Sequence, residues 1–344
     1  MKLSFSTPRL KISNTLISIT LLTSTLFISS TALSASKADT HFYGRIHVRL
    51  AAINKQDTSL NNAGHRLGIK GEGVLNNGWG FFYKLESEMN NDDGLGKKDG
   101  AGGHTLSEPS AVSSTDLADI VIRHAHAGLS NDYGSITFGR QSNPLANTYT
   151  ADVFEANSGS FEQTPFRLGH AIIYQSPNDN NARGYFGAML EGGGDEEENE
   201  QLDGYVLGGQ YKLQQLVLHL GYFHADFNSL NADKSEFSDI SFGSSYNLND
   251  FYLAANIEQS ILKAADGSEV ITDKLDVGIT YSIESITYGV GYAVQDNASA
   301  KSDRFLIGAY FDLGSNNDCY IELGLLNKAA GDNDNLAIGY RITF

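Results

Sequence analysis

From residue 40 onward the chain alternates apolar with small or polar side chains. Leu275, Val277, Ile279, Tyr281 and Ile283 are interleaved with Asp276, Gly278, Thr280 and Ser282. The same period of two runs through Ile286, Tyr288, Val290, Tyr292 and Val294, through Phe305, Ile307, Ala309, Phe311 and Leu313, and through Tyr205, Leu207, Gly209, Tyr211 and Leu213. Successive side chains of a strand point to opposite faces, so each segment has one apolar face and one small or polar face. A soluble sandwich or a lipocalin-like barrel alternates too, with the apolar face inward. Three features favour a membrane barrel instead. The alternation lasts about ten residues per segment, the length a tilted strand needs to cross hydrocarbon. Tyr and Phe gather near segment ends, as interfacial girdles do. The polar faces are rich in Gly, Ser, Thr and charge, which makes a poor dry core and a good wetted lumen.

The connections fall into two classes. Short turns include Asn76-Asn77-Gly78, Asn131-Asp132-Tyr133-Gly134, Leu213-Gln214-Gln215, Asn247-Leu248-Asn249-Asp250 and Gly314-Ser315-Asn316-Asn317; Asn, Asp and Gly tolerate the positive φ of tight hairpins. Between them lie longer polar segments at residues 91–117, 142–165, 192–200, 228–234, 263–270, 296–301 and 329–333. Short turns at one rim and long loops at the other are the layout of an outer-membrane barrel. The hairpins predict sixteen strands, near 41–53, 63–76, 78–90, 118–130, 133–142, 167–176, 182–191, 201–213, 215–226, 235–248, 250–262, 271–283, 285–296, 302–313, 318–328 and 334–344. The fold class expected is therefore all-β, a transmembrane antiparallel barrel of about sixteen strands with no internal domain boundary. Residues 91–117, rich in Gly, Ser and Asp, read as a mobile outer loop.

The first segment does not belong to that fold. Lys2, Arg9 and Lys11 precede an apolar run at residues 12–28, and small residues follow it. This is the layout of a secretory signal peptide over residues 1–35, with cleavage after Ala35 or Ala38; the run is too interrupted by Ser and Thr for a helical span. Residues 36–344 then make the barrel. Removing residues 1–35 takes away three cations and no acids, moving the formal charge from −17 to −20. Such acidity argues against nucleic acid or an anionic membrane surface as partner. The acidic run at residues 195–198 reads as a solvated loop. The single Cys319 cannot form an internal disulfide and reads as a small wall residue.

Six local motifs stand in order along the chain: Phe42-Tyr43-Gly44-Arg45-Ile46, Arg66-Leu67-Gly68-Ile69-Lys70-Gly71-Glu72, Ala127-Gly128-Leu129, Gly134-Ser135-Ile136-Thr137-Phe138-Gly139-Arg140, Ile173-Tyr174-Gln175-Ser176-Pro177 and Gly339-Tyr340-Arg341-Ile342-Thr343-Phe344. In order and spacing they are similar to motifs of the general-diffusion porins of Gram-negative bacteria. The resemblance covers about residues 38–344. It implies a homotrimer whose third long loop, residues 142–165, folds inward. Acids on that loop, Asp152, Glu155 and Glu162, would face a basic wall of Arg45, Arg66, Arg123, Arg140 and Arg167. The terminal Phe344 resembles the signal that such porins show to the barrel-insertion machinery.

Parity places three arginines independently. Phe42, Ile46, Val48 and Leu50 share one face, leaving Tyr43, Arg45, His47 and Arg49 on the other; likewise Ile338, Tyr340, Ile342 and Phe344 leave Arg341 inside. A cation at the lipid midplane costs about 2–4 kcal/mol, so the inward side is preferred. The same parity puts His124 and His126 outward, where contact with a neighbouring subunit would bury them.

The expected function has no chemistry. Small hydrophilic solutes and ions diffuse through, with outer-membrane lipids around the wall. No cofactor or metal is expected, and net charge predicts a weak cation preference. A solute-specific channel for a sugar or an anion is the first rival, but an aromatic slide and a lysine ladder are both missing. A barrel enzyme would need a nucleophile or paired carboxylates beside its histidines. A structural or adhesive barrel would differ in conducting no current.

Overall fold

Period-two alternation becomes sixteen long strands: β1 (Asp39–Ile53), β2 (His65–Val74), β3 (Gly80–Asn90), β4 (Asp119–Asn131), β5 (Gly134–Ser142), β6 (Arg167–Gln175), β7 (Ala182–Met189), β8 (Gly204–Leu213), β9 (Leu216–Asp226), β10 (Lys234–Leu248), β11 (Phe251–Ala264), β12 (Glu269–Ile283), β13 (Ile286–Asn297), β14 (Ala300–Gly314), β15 (Asn317–Leu326) and β16 (Asn335–Thr343). The computed structural model describes residues 38–90, 97–98, 104–105, 119–157, 164–178, 181–190, 202–226, 234–264, 266–297, 300–326 and 334–344. Residues 1–35, read as a signal peptide, lie outside them, as does most of the 91–117 loop. Among the described residues no helix is long and apolar enough to cross a membrane.

Each strand pairs antiparallel with the next, and β16 returns to β1 from Arg45↔Thr343 to Ile53↔Asn335. The last residue completes the seam. Gly44 N–H donates to the Phe344 carbonyl at 2.8 Å, and Phe344 N–H donates to the Gly44 carbonyl at 3.1 Å. The Phe344 ring covers Gly44 in the space that a larger side chain would need. The predicted second strand, 63–76, is preceded by a short strand that the turn pattern did not suggest. Ser59–Asn62 pairs with residues 48–51, and β2 starts at His65 after Gly64 turns the chain at φ +102°. Short turns enter the left-handed region at Gln214, Asn249, Glu284, Ser315 and Asn316, with φ of 52° to 60°.

The two faces are opposite to those of a soluble β-protein. Ile279, Val290, Ile307 and Ile338 are exposed on the outer face, whereas Asn256, Glu258, Lys274 and Glu322 are 0–3% exposed. Charge lies inside and hydrocarbon outside. The inner face also carries an apolar cluster that alternation alone does not suggest: Leu168, Ile173, Val206, Phe223 and Phe237 pack around Leu145.

Two register slips correct the parity reading. Between β3 and β4, Glu86 pairs with His124 but Ser87 pairs with Ile122, so Arg123 is an extra residue. Such a bulge puts two residues opposite one and flips parity beyond it. His124 and His126 therefore join Arg123 on the inner face, with His124 Nε2 3.9 Å from Glu86, and the expected subunit-facing position is wrong for both. Ile120 and Ile122 are exposed on the outer face in their place, while Val121 pairs with inward Glu88. The second slip lies between β5 and β6 at Gly139/Gln141. Arg140 pairs with Ala125, beside the Ala127↔Phe138 pair of the outer face, and its Nε donates to the Ile122 carbonyl at 2.8 Å. Facing residues of paired strands share a side, so Arg140 is not part of the inner wall to which the resemblance assigned it.

If this orientation holds in a bilayer, Ile279→Arg should cost about 2–4 kcal/mol, while Thr280→Arg, one residue on and facing inward, should cost far less. Urea unfolding of the two variants in lipid vesicles reads the difference.

Candidate functional site

One side of the lumen is a charged wall on β1–β4 and β6. Side chains that face across neighbouring strands interact directly, and here the arginines meet acids of their own wall. Arg66 Nε donates to Glu88 at 3.2 Å, Arg123 Nε donates to Glu86 at 2.9 Å, and Arg123 also reaches Glu88. Lys84 lies 3.1 Å from Glu86, and the Tyr43 hydroxyl donates to the same carboxylate at 2.9 Å. Arg45 points its guanidinium at the Gly64 and Ala63 carbonyls, at 3.2 and 3.5 Å. Arg167 couples electrostatically to Arg66, Arg123, Glu86 and Glu88. Arg45, Arg66, Arg123 and Arg167 thus form one cluster, and Arg140 stands apart. Glu86 and Glu88 were not among the residues singled out from sequence. Their inward parity, shared with Lys84, is the signal that could have found them.

The segment after β5 lies against the inner face of the far strands. It opens with a short 3-10 turn, Pro144–Thr148, capped by Asn143, whose side chain accepts from Leu145 N–H. Leu145, Thr148, Ala151, Phe154 and Asn157 are all buried, and each meets a wall glycine: Gly221, Gly243, Gly278, Gly291 and Gly324 in turn. Every third residue therefore occupies a place that a Cβ on β9, β10, β12, β13 or β15 would fill. Burying Leu145 alone contributes about 1.5–3 kcal/mol.

The end of the segment is held by one buried carboxylate. Glu322 accepts from the N–H groups of Glu155, Ala156 and Asn157 at 2.6, 2.9 and 3.1 Å, from the Asn157 side chain at 3.0 Å and from the Tyr310 hydroxyl at 2.8 Å. Hydrogen bonds to a charged acceptor contribute about 1.5–3 kcal/mol each, though not additively. Beside it, the Glu155 carboxylate accepts from Arg341 at 2.6 Å, and Arg341 also donates to Asp318 at 2.9 Å. Of the three segment acids, Glu155 thus pairs with Arg341, on β16, an arginine outside the predicted wall. Asp152 is exposed, and Glu162 lies outside the described residues. At the short-turn rim, Arg45, Arg341, Asp312, Asp318 and Glu284 line an open cavity of about 780 Å³.

A family model described as Gram-negative porin matches residues 19–331. No curated protein matches the chain. Among solved structures, an anion-selective porin from Comamonas acidovorans is similar at TM-score 0.68 and 21% identity, covering 90% of this chain and 100% of that one. The loop L8 deletion mutant of OmpT, an outer membrane protein of Vibrio cholerae, gives TM-score 0.68 at 17% identity, over 89% of this chain and 99% of that one. Salmonella typhi OmpF in complex with daunomycin gives TM-score 0.67 at 17% identity, over 89% and 97%. At such identities these likenesses establish the fold.

The glycine seats generate a steric prediction. A Cβ at Gly243 would press on the Thr148 backbone, whereas one at Gly289 would meet only ordinary contacts of 3.5 Å or more. Gly243→Val should therefore cost about 1–3 kcal/mol by overpacking and expose the segment to protease, while Gly289→Ala should do neither. Thermal unfolding and limited proteolysis separate the pair.

Proposed function

This chain belongs to the Gram-negative porin family and is an outer-membrane diffusion channel, and on that premise we propose that residues 142–165 fold into the lumen and narrow it. The observation that carries this reading is the seating of residues 145–157 on the inner faces of β9–β15, ending at Glu322 and Arg341. Solutes then pass between that segment and the wall of Arg45, Arg66, Arg123 and Arg167. Asp152 and Glu155 supply the acidic side, and Glu162 is assigned to it by sequence position. Small hydrophilic molecules and ions cross passively, because a gap lined by charge offers dipoles partial compensation for lost hydration and offers apolar solutes none.

The ion preference follows from which charges remain unbalanced. Glu86 and Glu88 offset part of the positive charge of the wall, and Arg341 is shared between Glu155 and Asp318. The acid excess of the chain, −17 before processing, lies outside that wall, and Glu284 and Asp312 line the cavity at one mouth. That supports a weak cation preference. The exposed apolar stripe fits outer-membrane lipid, and Ile120 and Ile122 on β4 suit a subunit contact. A homotrimer is the assembly we assign, in keeping with a solved OmpT described as a trimer form. Phe344, at the barrel seam, is the residue we assign to recognition by the insertion machinery.

Two measurements in planar bilayers test these assignments. In a Cys319→Ser background, Asp152→Cys modified with a bulky thiol reagent should lower unit conductance; an unchanged conductance removes the segment from the pore. Reversal potentials in a KCl gradient should carry the cation sign. They should shrink with salt as the screening length falls from about 30 Å at 0.01 M to about 3 Å at 1 M. An anion-signed potential would overturn the preference.

A further inference from the structure

The five glycine seats limit how closely the segment approaches the wall, but a seat does not pull. Thr148 hydrogen-bonds to Ser241, Thr150 donates to the Ser244 and Ala255 carbonyls, and a second, charged contact away from Glu322 adds to that hold. Tyr149 is outside the every-third series and turns into a pocket between β11 and β12, where it is 7% exposed. Its hydroxyl donates to Glu258 at 3.3 Å, and the Lys274 ammonium sits 4.7 Å from its ring centroid. That distance is within the range in which a desolvated cation is attracted to an aromatic face. Lys274 in turn bridges Glu258 at 3.3 Å and Asp276 at 3.1 Å, and neither Lys274 nor Glu258 is more than 3% exposed. Tyr252 donates to the Thr150 carbonyl at 2.9 Å, and Thr164 on the returning limb donates to Asp239, which couples to Glu258. Phe166, also on that limb, meets the Tyr149 ring edge-on at 5.9 Å.

From this geometry we propose that Tyr149 is a positioning residue: gripped by Lys274 and Glu258, it holds the segment back against the far wall and keeps the pore open. The proposal rests on the reading of residues 142–165 as the constriction. Tyr149, Glu258 and Lys274 are all buried, so the ammonium acts at close range on ring and carboxylates in a medium that screens it little. The wall behind the segment therefore carries one cation placed to attract an aromatic ring, flanked by carboxylates that hold that cation still. Without the grip, residues 148–154 would keep only the neutral hydrogen bonds of Thr148 and Thr150 to the far wall, and they would shift toward the wall of arginines.

The experiment is single-channel conductance with sugar exclusion in vesicles, on full-length barrels whose folding is checked by heat-modifiable migration on gels. Tyr149→Ala should lower unit conductance and exclude sugars that the parent admits, and Tyr149→Phe, which keeps the ring over Lys274, should fall between. Lys274→Met should behave as Tyr149→Ala, and Lys274→Arg should restore the parent values. Removing one member of a buried ion pair can disrupt folding, so the Tyr149 variants, which leave the wall charges intact, decide if Lys274→Met fails to fold. Folded Tyr149→Ala channels with parent or higher conductance and the parent exclusion limit would overturn the grip. The Asp152→Cys modification keeps the two ideas distinct: block by the reagent together with a parent-like Tyr149→Ala sinks the grip alone, whereas no block sinks the constriction on which it rests.

Discussion

Hydrocarbon offers no hydrogen bonds, and that single lack dictates most of this structure. Every backbone N–H and C=O within the bilayer must find a partner in the chain, which a sheet achieves only by closing on itself. Closure here depends on β1 meeting β16 and on the last residue exchanging two hydrogen bonds with Gly44. Because lipid solvates the outer face, the sequence spends its apolar residues there and is free to put Asp, Glu, Lys and Arg inside. Those charges then need partners of their own, since a buried unpaired ion is costly. The wall ion pairs of Glu86 and Glu88, the Glu322 cradle and the Lys274 pocket are consequences of that arrangement.

The parts of the fold legible in sequence are those governed by short-range rules. Alternation is a property of one strand, and a hairpin turn is a property of four residues, so the count of sixteen strands and the outward stripe could both be read directly. The failures share one cause, a dependence on the neighbouring strand. His124 and His126 seemed to point outward because parity was carried through Arg123, where a bulge opposite Glu86 resets it. Arg140 follows a motif that resembles the family's fifth strand, yet the register of β5 against β4 sets it beside Ala125. Bulges re-aim side chains without any strong mark in the bulged segment itself. The three consecutive apolar residues Ile120, Val121 and Ile122 were the available hint, since no regular strand with a polar face carries such a run.

Of the candidate site, sequence offered the residue types but not their pairings. The inward parity of Arg45 and Arg341 was visible; that Arg341 would meet Glu155 was not, because the two are separated by 186 positions. The glycine seats show the same limit. Gly221, Gly243, Gly278, Gly291 and Gly324 each read as a small residue on a polar face. Only with the segment laid across five strands do they become a track matched to residues 145, 148, 151, 154 and 157. Small inward residues serve two ends in a barrel, a wide lumen or a backbone approaching closely, and one strand at a time cannot distinguish them.

Net charge is a poor guide to a pore for a related reason. The chain is strongly acidic, yet its wall carries a dense group of arginines, and the field that a solute meets is the residue left after local pairing. Coulomb interactions fall with distance and with solvent screening, so an acid bonded at 3 Å to an arginine cancels more of its field than many acids on a distant loop. Glu86 sits between Arg123, Lys84 and Tyr43, and Glu322 accepts from three backbone N–H groups, the Asn157 side chain and a tyrosine. Neither contributes as a bare charge to the lumen. The acids that do are those with one side still in water, such as Glu284 and Asp312 at the rim. The field in such a channel follows the charge that remains after pairing, and the pairing is written in the register of the sheet rather than in composition.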